Sequence, residues 1–388
     1  MVKFAHLSDV HLGGWKFREM QELNFQSFQK ALQISIDEKV DFILIAGDLF
    51  DTAYPPIEIL KETFAEFKKI KESNIPCFII SGSHDYSVSG KTFLEVLEKS
   101  GFCKNVADFF EEGGKIKLRP TMFNRVALYG YPGKKSGLDV GDLRRVELIP
   151  SDGFKIFMLH TTIGKVVENL GNLPIETIDA DSLPYADYYA LGHIHVRFKY
   201  KNFVYPGPVF PNNFAELENL NCGSFCIFDS EKEEMAKIIE LKIKEIESIK
   251  IEITDARLAT EQVISEMEKR DLNGKIVLLR LSGELDDSKN SEIKFPQIDD
   301  FAKQKGAYFL LKNIHDLKTK EAEIDLEIEK SGGIEEETIK IYSEKNPSDL
   351  NKIIPSLISS LSMEKQEGET TETFSSRVFD ESRKILNF

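Results

Sequence analysis

Five short clusters of imidazole and carboxylate residues are spaced along the first 200 residues of this 388-residue chain. They are Asp9-Val10-His11, Gly47-Asp48-Leu49-Phe50-Asp51, Gly82-Ser83-His84-Asp85, His160, and Gly192-His193-Ile194-His195. Neutral imidazole nitrogen and carboxylate oxygen together suit Mn, Fe or Zn better than Ca or Mg. A carboxylate such as Asp48 can bridge two ions roughly 3.5–4 Å apart, an arrangement that activates water and clamps a phosphoryl group. In an extended segment the D-x-H spacing turns Asp9 and His11 to one face, and the same holds for His193 and His195. Taken singly, each cluster has a plainer reading: an isolated D-x-H is common, and a lone His160 suits a hydrogen-bonded core position. Together and in order, the five point to a binuclear metal site. They use five of the seven histidines. Of the other two, His6 is expected as a core hydrogen-bonder and His315 as a surface residue.

Such side chains converge only if the elements between them end at one edge. Each cluster follows an apolar run: Val2–Leu7, Phe42–Ala46 and Cys77–Ile80 for the first three, Ile156–Leu159 for His160, and Tyr188–Leu191 for the last. The unbroken run Phe42–Ala46 is the kind found in strands buried on both faces. Between the runs, Phe25, Phe28, Leu32 and Ile36 recur at helical spacing, as do Ile57, Leu60, Phe64 and Phe67, with a shorter helix at Phe93, Leu94 and Leu97. Strands alternating with helices of this length predict α/β layering. In such folds ligands bind beyond the carboxyl ends of the strands, where these clusters lie.

A chain of 388 residues exceeds one average domain. The Pro/Gly/Asn-rich loop Tyr205–Asn213 and the run Ser224–Asp229 close a first domain, 1–230. Residues 231–330, richer in Glu, Lys and Ile, read as a small α+β domain with strands at Ile249–Ile253 and Ile276–Leu281 and a helix over 258–270. In 331–388, Ile353, Ile354, Leu357, Ile358 and Leu361 form one helical stripe, and Phe374, Val378, Phe379 and Leu386 form another across the polar link Glu364–Glu372. Two short amphipathic helices on a tether more often dock on a partner than fold alone.

No apolar stretch reaches the roughly 18 residues of a membrane helix, and the N-terminus lacks a signal-peptide core. A soluble cytoplasmic chain with no membrane partner is expected. Four cysteines with a single C-x3-C pair make neither a disulfide scaffold nor a zinc site. The net charge of −15 argues against a nucleic-acid binder. Residues 101–150, however, carry 9 basic against 6 acidic side chains. Lys115, Lys117, Arg119, Arg125, Lys134, Lys135, Arg144 and Arg145 therefore make one candidate phosphate track, and Arg197, Lys199 and Lys201 another. Scattered solvated charges are the alternative.

Read in order, the clusters resemble the calcineurin-like phosphoesterase signature, D-x-H … G-D … G-N-H-(D/E) … H … G-H-x-H. His6-Leu-Ser-Asp-Val-His-Leu-Gly13, Gly47–Asp51, Tyr205-Pro-Gly-Pro208 and Gly274–Leu281 narrow the likeness. They are similar to the SbcD and archaeal meiotic-recombination-eleven nucleases, subunits of a DNA double-strand-break repair complex. The motif match spans about 1–230, and the layout extends it loosely over the whole chain. The resemblance implies a four-layer α/β metallophosphoesterase sandwich, a smaller α+β capping domain and a C-terminal helical tail. It implies two manganese ions, one held by Asp9, His11, Asp48 and His195, the other by Asp48, position 83, His160 and His193. His84 would stabilise the transition state and help protonate the leaving oxygen. Asp51, where some relatives place a second histidine, is counted with it as catalytic.

The implied activity is 3′→5′ exonuclease and endonuclease cleavage at double-stranded DNA ends, in a cytoplasmic, nucleoid-associated setting. An SMC-like coiled-coil ABC ATPase would bind the C-terminal helices. A homodimer would form through Leu60, Phe64, Phe93 and Leu97, for which plain core positions are the alternative. One departure matters: Ser83 stands where the family has Asn. A serine hydroxyl is a poorer ligand than an amide oxygen and reaches less far, so the second ion is expected to be weaker, water-bridged or differently held. Two other readings follow: a small-molecule phosphodiesterase or phosphatase on the same core, and a DNA-tethering scaffold with weakened chemistry.

Overall fold

The structure, a computed structural model, describes residues 2–85, 87, 92–134, 138–170, 176–232, 234–286, 288–319, 348, 351, 353–361, 363 and 371–386. Met1–Lys318 form one compact unit and Thr319–Phe388 a second. In the first, apolar runs become strands and periodic stretches become helices: β1 (Lys3–Leu7), α1 (Arg18–Asp37), β2 (Phe42–Ala46), α2 (Ile57–Glu72), β3 (Cys77–Ile80), α3 (Phe93–Lys99) and β4 (Lys104–Asn105). Strands β1 to β4 pair in parallel, and all five residues of β2 are buried.

The chain then makes β5 (Phe109–Glu112), β6 (Lys115–Leu118), β7 (Thr121–Phe123), β8 (Val126–Tyr131), α4 (Leu138–Leu143), β9 (Val146–Leu148), β10 (Phe154–His160), α5 (Gly164–Leu170), β11 (Tyr188–Gly192), β12 (Arg197–Tyr200) and β13 (Phe203–Pro206). A second six-stranded sheet runs β12-β13-β11-β10-β8-β7, and β5-β6-β9 form a small third one. After α6 (Phe214–Leu220), β14 (Gly223–Asp229) and β15 (Ala236–Leu241) return to the first sheet, whose order is β15-β14-β1-β2-β3-β4. That sheet therefore draws its edge strand from beyond residue 230.

Side chains alternate across each strand, so each sheet has two apolar faces to cover. Phe4, Phe42, Leu44 and Phe78 of the first sheet meet Leu128, Ile156, Met158 and Tyr188 of the second between the two. Phe4 stacks on Phe42 and Phe228, with ring centroids 5.1 and 4.7 Å apart. On the outside, Ala5, Leu7, Ile43 and Ile45 pack under Phe28 and Leu32 of α1 and Phe67 and Ile70 of α2. Tyr129, Phe157 and Tyr189 pack under Val140 and Leu143 of α4 and Val166 of α5. The result is helix, sheet, sheet, helix, the expected four layers.

The remainder of the first unit is β16 (Ile246–Glu252), α7 (Ala256–Glu268), β17 (Ile276–Leu285), α8 (Phe295–Gln304) and β18 (Phe309–Thr319), with sheet order β16-β17-β18. Its helices cover one sheet face through Ile249, Val263, Leu279 and Ile298. The other face lies against the sandwich: Ile276, Leu278 and Leu311 join Trp15, Met20, Leu23, Phe210 and Leu217 in one buried cluster. The second unit contains α9 (Ile354–Leu361) and α10 (Thr371–Leu386). They meet at Ser360 and Ser382, hydroxyls 2.8 Å apart, and leave Leu361, Phe379 and Leu386 exposed. Most of the polar link Glu364–Glu372 lies outside the described residues. Among those described, no helix is long and apolar enough to cross a membrane.

Candidate metal centre

The clusters sit at the carboxyl ends of strands in both sheets. Asp9 and His11 follow β1, Asp48 follows β2, Ser83 and His84 follow β3, His160 ends β10, and His193 and His195 follow β11. The turns are tight enough to force Asp9, His11, Asp48 and His193 to φ of 50, 47, 52 and 93°. Non-glycine residues avoid this region at a cost of roughly 1–3 kcal/mol each. Cross-bonded loops hold them there: Asp9 N donates to Gly47 O at 3.2 Å and His11 N to Asp48 O at 2.9 Å. Buried Asp85 accepts from Leu49 N and Phe50 N, both at 2.9 Å. Burial, reinforced by the neighbouring Asp48 charge, pushes Asp85 up to about 7. Gly47 has no substitute, since a Cβ there would lie 2.3 Å from His160 Nδ1.

Three imidazoles are locked from behind. His160 Nδ1 donates to Ala46 O at 2.9 Å, His195 Nδ1 to Glu216 Oε1 at 2.9 Å, and His11 Nδ1 to Asp51 Oδ1 at 3.1 Å. A proton held on Nδ1 leaves Nε2 of the neutral ring as a lone pair. Those lone pairs converge. His11 Nε2 is 3.1 Å from His195 Nε2, and His160 Nε2 is 3.0 Å from Asp48 Oδ2. His195 Nε2 lies 3.6 Å from Asp9 Oδ1, and His11 Nε2 3.7 Å from Asp48 Oδ2. Buried Asp9 Oδ2 has no hydrogen-bond partner among the described residues. Acceptors that face acceptors repel one another until positive charge lies among them.

The electrostatics show the same demand for positive charge. Burial opposes a charge on His160, yet Asp48 and Asp9 override it and push the imidazole up to about 10, so without a cation the His160 Nε2 carries a proton toward Asp48 that a metal ion would displace. Asp48, despite burial, is held below the usual carboxylate range by His160 and His11. Three groups among the described residues, Asp9 with His11 and His195, His11 with Asp48 and His84, and Asp9 with Asp48 and His160, each offer ligand atoms within 4.8 Å of one another. Imidazole nitrogen and carboxylate oxygen in this arrangement fit divalent transition-metal ions.

Ser83 and His193 stand at the rim of this cluster. Ser83 Oγ is 3.4 Å from Asp48 Oδ2. The His193 ring is 5.1 Å from that of His160, and its backbone N–H donates to Asp9 Oδ1 at 2.8 Å. Exposed His84 lies edge-on to His11 at 4.7 Å; its N–H donates to Asp48 Oδ1 at 2.8 Å and its Nδ1 to Asp51 O at 2.9 Å. Asp51 thus anchors both His11 and His84. The bond from His11 holds its carboxyl below the usual range against burial. His6 is buried with Nδ1 3.0 Å from the Tyr188 hydroxyl, and the His315 side chain is 92% exposed, as expected for each.

Glu216 escaped the sequence reading. It is the fourth residue of an N-x-x-E pattern, a helix-start signal. Asn213 Oδ1 accepts from Glu216 N at 2.9 Å to begin α6, while the Glu216 carboxylate accepts from Asn212 N at 2.8 Å and from His195.

The basic candidates are largely paired within the chain. Arg197 bonds Glu240 and Cys222 O at 2.9 and 2.7 Å, Lys199 bonds Glu234 at 2.8 Å, and Lys134 bonds Asp142 at 2.5 Å. Lys115, Lys117, Arg119, Arg145 and Lys201 face Glu147, Glu112, Asp108, Asp142 and Asp181. Arg125 and Arg144 are exposed, and Lys135 lies outside the described residues. Exposed pairs such as Lys115–Glu147 and Lys201–Asp181 contribute little to stability, so their exchange for a phosphate costs little, whereas Arg197, which also bonds Ser224 and Leu220 O, is committed to the fold. Of the dimer candidates, Leu60 and Leu97 are core residues, with Phe64 and Phe93 packed partly against them. Nearby, Tyr54, Ile57 and Val96 are the large apolar side chains that face solvent.

Residues 2–197 match the family described as calcineurin-like phosphoesterase. The chain is similar to the DNA double-strand break repair protein Mre11 of Archaeoglobus fulgidus, 25% identical over 326 residues, which cover 75% of this chain and 71% of that one. It is 25% identical to Mre11 of Methanosarcina mazei over 355 residues, 88% of this chain and 52% of that one. Against Mre11 of Sulfurisphaera tokodaii it is 32% identical over 210 residues, 50% of this chain and 49% of that one. The chain thus spans about half the length of the latter two relatives.

Proposed function

Because the chain belongs to the calcineurin-like phosphoesterase family, we propose that it cleaves DNA phosphodiester bonds in double-strand-break repair, with manganese as the metal. The observation that carries this reading is the convergence of three Nδ1-locked imidazoles with the Asp9 and Asp48 carboxylates. The choice of DNA leans on the Mre11 relatives. Asp9, His11, Asp48 and His195 would hold one ion, and Asp48, Ser83, His160 and His193 the other. Bound there, the pair would supply Lewis acidity and an activated water. His84 Nδ1 is tied to Asp51 O, so the ring would act in its doubly protonated form, giving the Nε2 proton to the leaving oxygen and keeping the Nδ1 proton on Asp51 O. Asp51 keeps His11 and His84 in register. The same reading proposes double-stranded DNA ends as substrate, with exonuclease and endonuclease cleavage. It further proposes a homodimer presented by Tyr54, Ile57 and Val96, an ATPase partner for α9 and α10, and a place at the nucleoid.

A manganese-supplemented assay on linear duplex DNA tests the proposal. The wild type should degrade DNA, and His84→Ala should lose on the order of 10²-fold or more in kcat, the usual share of general acid–base catalysis. Ser83→Asn should saturate with less manganese, because an amide oxygen is the better ligand. Turnover of a chromogenic phosphodiester with duplex DNA left intact would move the chain to small-molecule substrates instead.

A further inference from the structure

Helix α6 has two carboxylates with opposite errands. Glu216 holds His195 Nδ1 at 2.9 Å. Glu218, two residues on and so turned about 200° around the helix axis, accepts from Arg280 Nη2 of β17 at 2.7 Å and lies 3.2 Å from Lys250 Nζ of β16. Arg280 also covers the Phe214 ring, its guanidinium 5.2 Å from the centroid. Between the carboxylates, fully buried Leu217 packs with Ile276, Leu278 and Leu311 of the β16–β18 sheet. At the start of α6, the backbone N–H of Asn212 bonds Glu216 at 2.8 Å. One short segment therefore touches the small sheet on one side and the support of an expected ligand, His195, on the other.

We propose that α6 is a coupling element through which the β16–β18 subdomain sets the orientation of His195, with Glu216, Glu218 and Arg280 as positioning residues. The inference rests on the metal-centre reading above. A seven-residue helix pinned at both sides moves as a body. A shift of the small sheet relative to the sandwich would carry Glu216 with it and turn or release the imidazole. The late strand Gly274–Leu281, which the motif comparison singled out without a task, acquires one in Arg280.

The test is titration of the full chain with manganese by calorimetry, alongside NMR of the His195 ring nitrogens in the metal-free protein. Glu216→Gln should weaken one manganese site on the order of 10–100-fold, the usual effect of removing a support behind a ligand. It should also release the Nδ1 proton to exchange. Arg280→Met and Glu218→Gln should weaken the same site several-fold, and the double variant should be no weaker than the worse single. Asp316→Asn removes the charge of Arg280's partner outside α6 (3.0 Å) and should bind manganese like the wild type. Wild-type affinity and ring signals in Arg280→Met overturn the coupling. So does an additive double variant, or an Asp316→Asn as weak as Arg280→Met. A wild type that binds no manganese refutes the underlying metal-centre reading instead.

Discussion

At the scale of single residues, the centre stores strain that its surroundings must outweigh, because four side chains aimed at it leave backbones with positive φ. Asp85 supplies two of the restraining bonds from within the core. Asp85→Ala should therefore lower stability by about 2–3 kcal/mol, because it leaves the buried N–H groups of Leu49 and Phe50 without an acceptor, measured by chemical denaturation. His6 gives a pH signature. Burial pushes it down to about 3, against about 6.5 in an unfolded chain. Between these values the unfolded chain binds a proton that the folded chain refuses, so stability falls as pH drops through the window, by up to about 1.4 kcal/mol per pH unit. His6→Gln should flatten that slope in urea titrations at pH 4–6; an unchanged slope would absolve His6. Imidazoles were legible because only seven exist and five end strands. Glu216 was not, being one of 65 acidic residues whose task appears only when folding brings His195 to it.

At the scale of elements, periodicity located α2 but not the destination of its stripe. Leu60 and Phe67 are buried in the core, whereas Ile57 is 77% exposed. Phe67→Ala should cost about 3–5 kcal/mol. Ile57→Ser should change stability by no more than about 0.5 kcal/mol, yet shift sedimentation from dimer to monomer. A wild type that sediments as a monomer would remove the dimer proposal. The compositional change near residue 230 does not coincide with the end of the first sheet, because β15 pairs with β14 from Phe228↔Ala236 to Gly223↔Leu241. Strand pairing follows the partner on offer more than local composition, which is why that edge was invisible in the sequence.

At the scale of the whole molecule, the five apolar cores formed among the described residues all fall within residues 1–318. A chain ending at Lys318 should therefore fold and melt within a few degrees of the full protein, and a loss of cooperative melting would show that the tail is structural. The layered α/β core was readable because alternating strand and helix patterns leave few ways to cover two sheet faces. The seating of the small sheet on Trp15 and Phe210 was not, since no pattern in either segment names the other. Finally, the proposed metal centre draws Asp9, His11 and Asp48 from one sheet and His160 and His195 from the other. An ion held there would be a clasp across the seam of the sandwich, fastened to both halves at once. Loading it should therefore raise the resistance of the whole layered core to denaturant, beyond that of the loops that hold it.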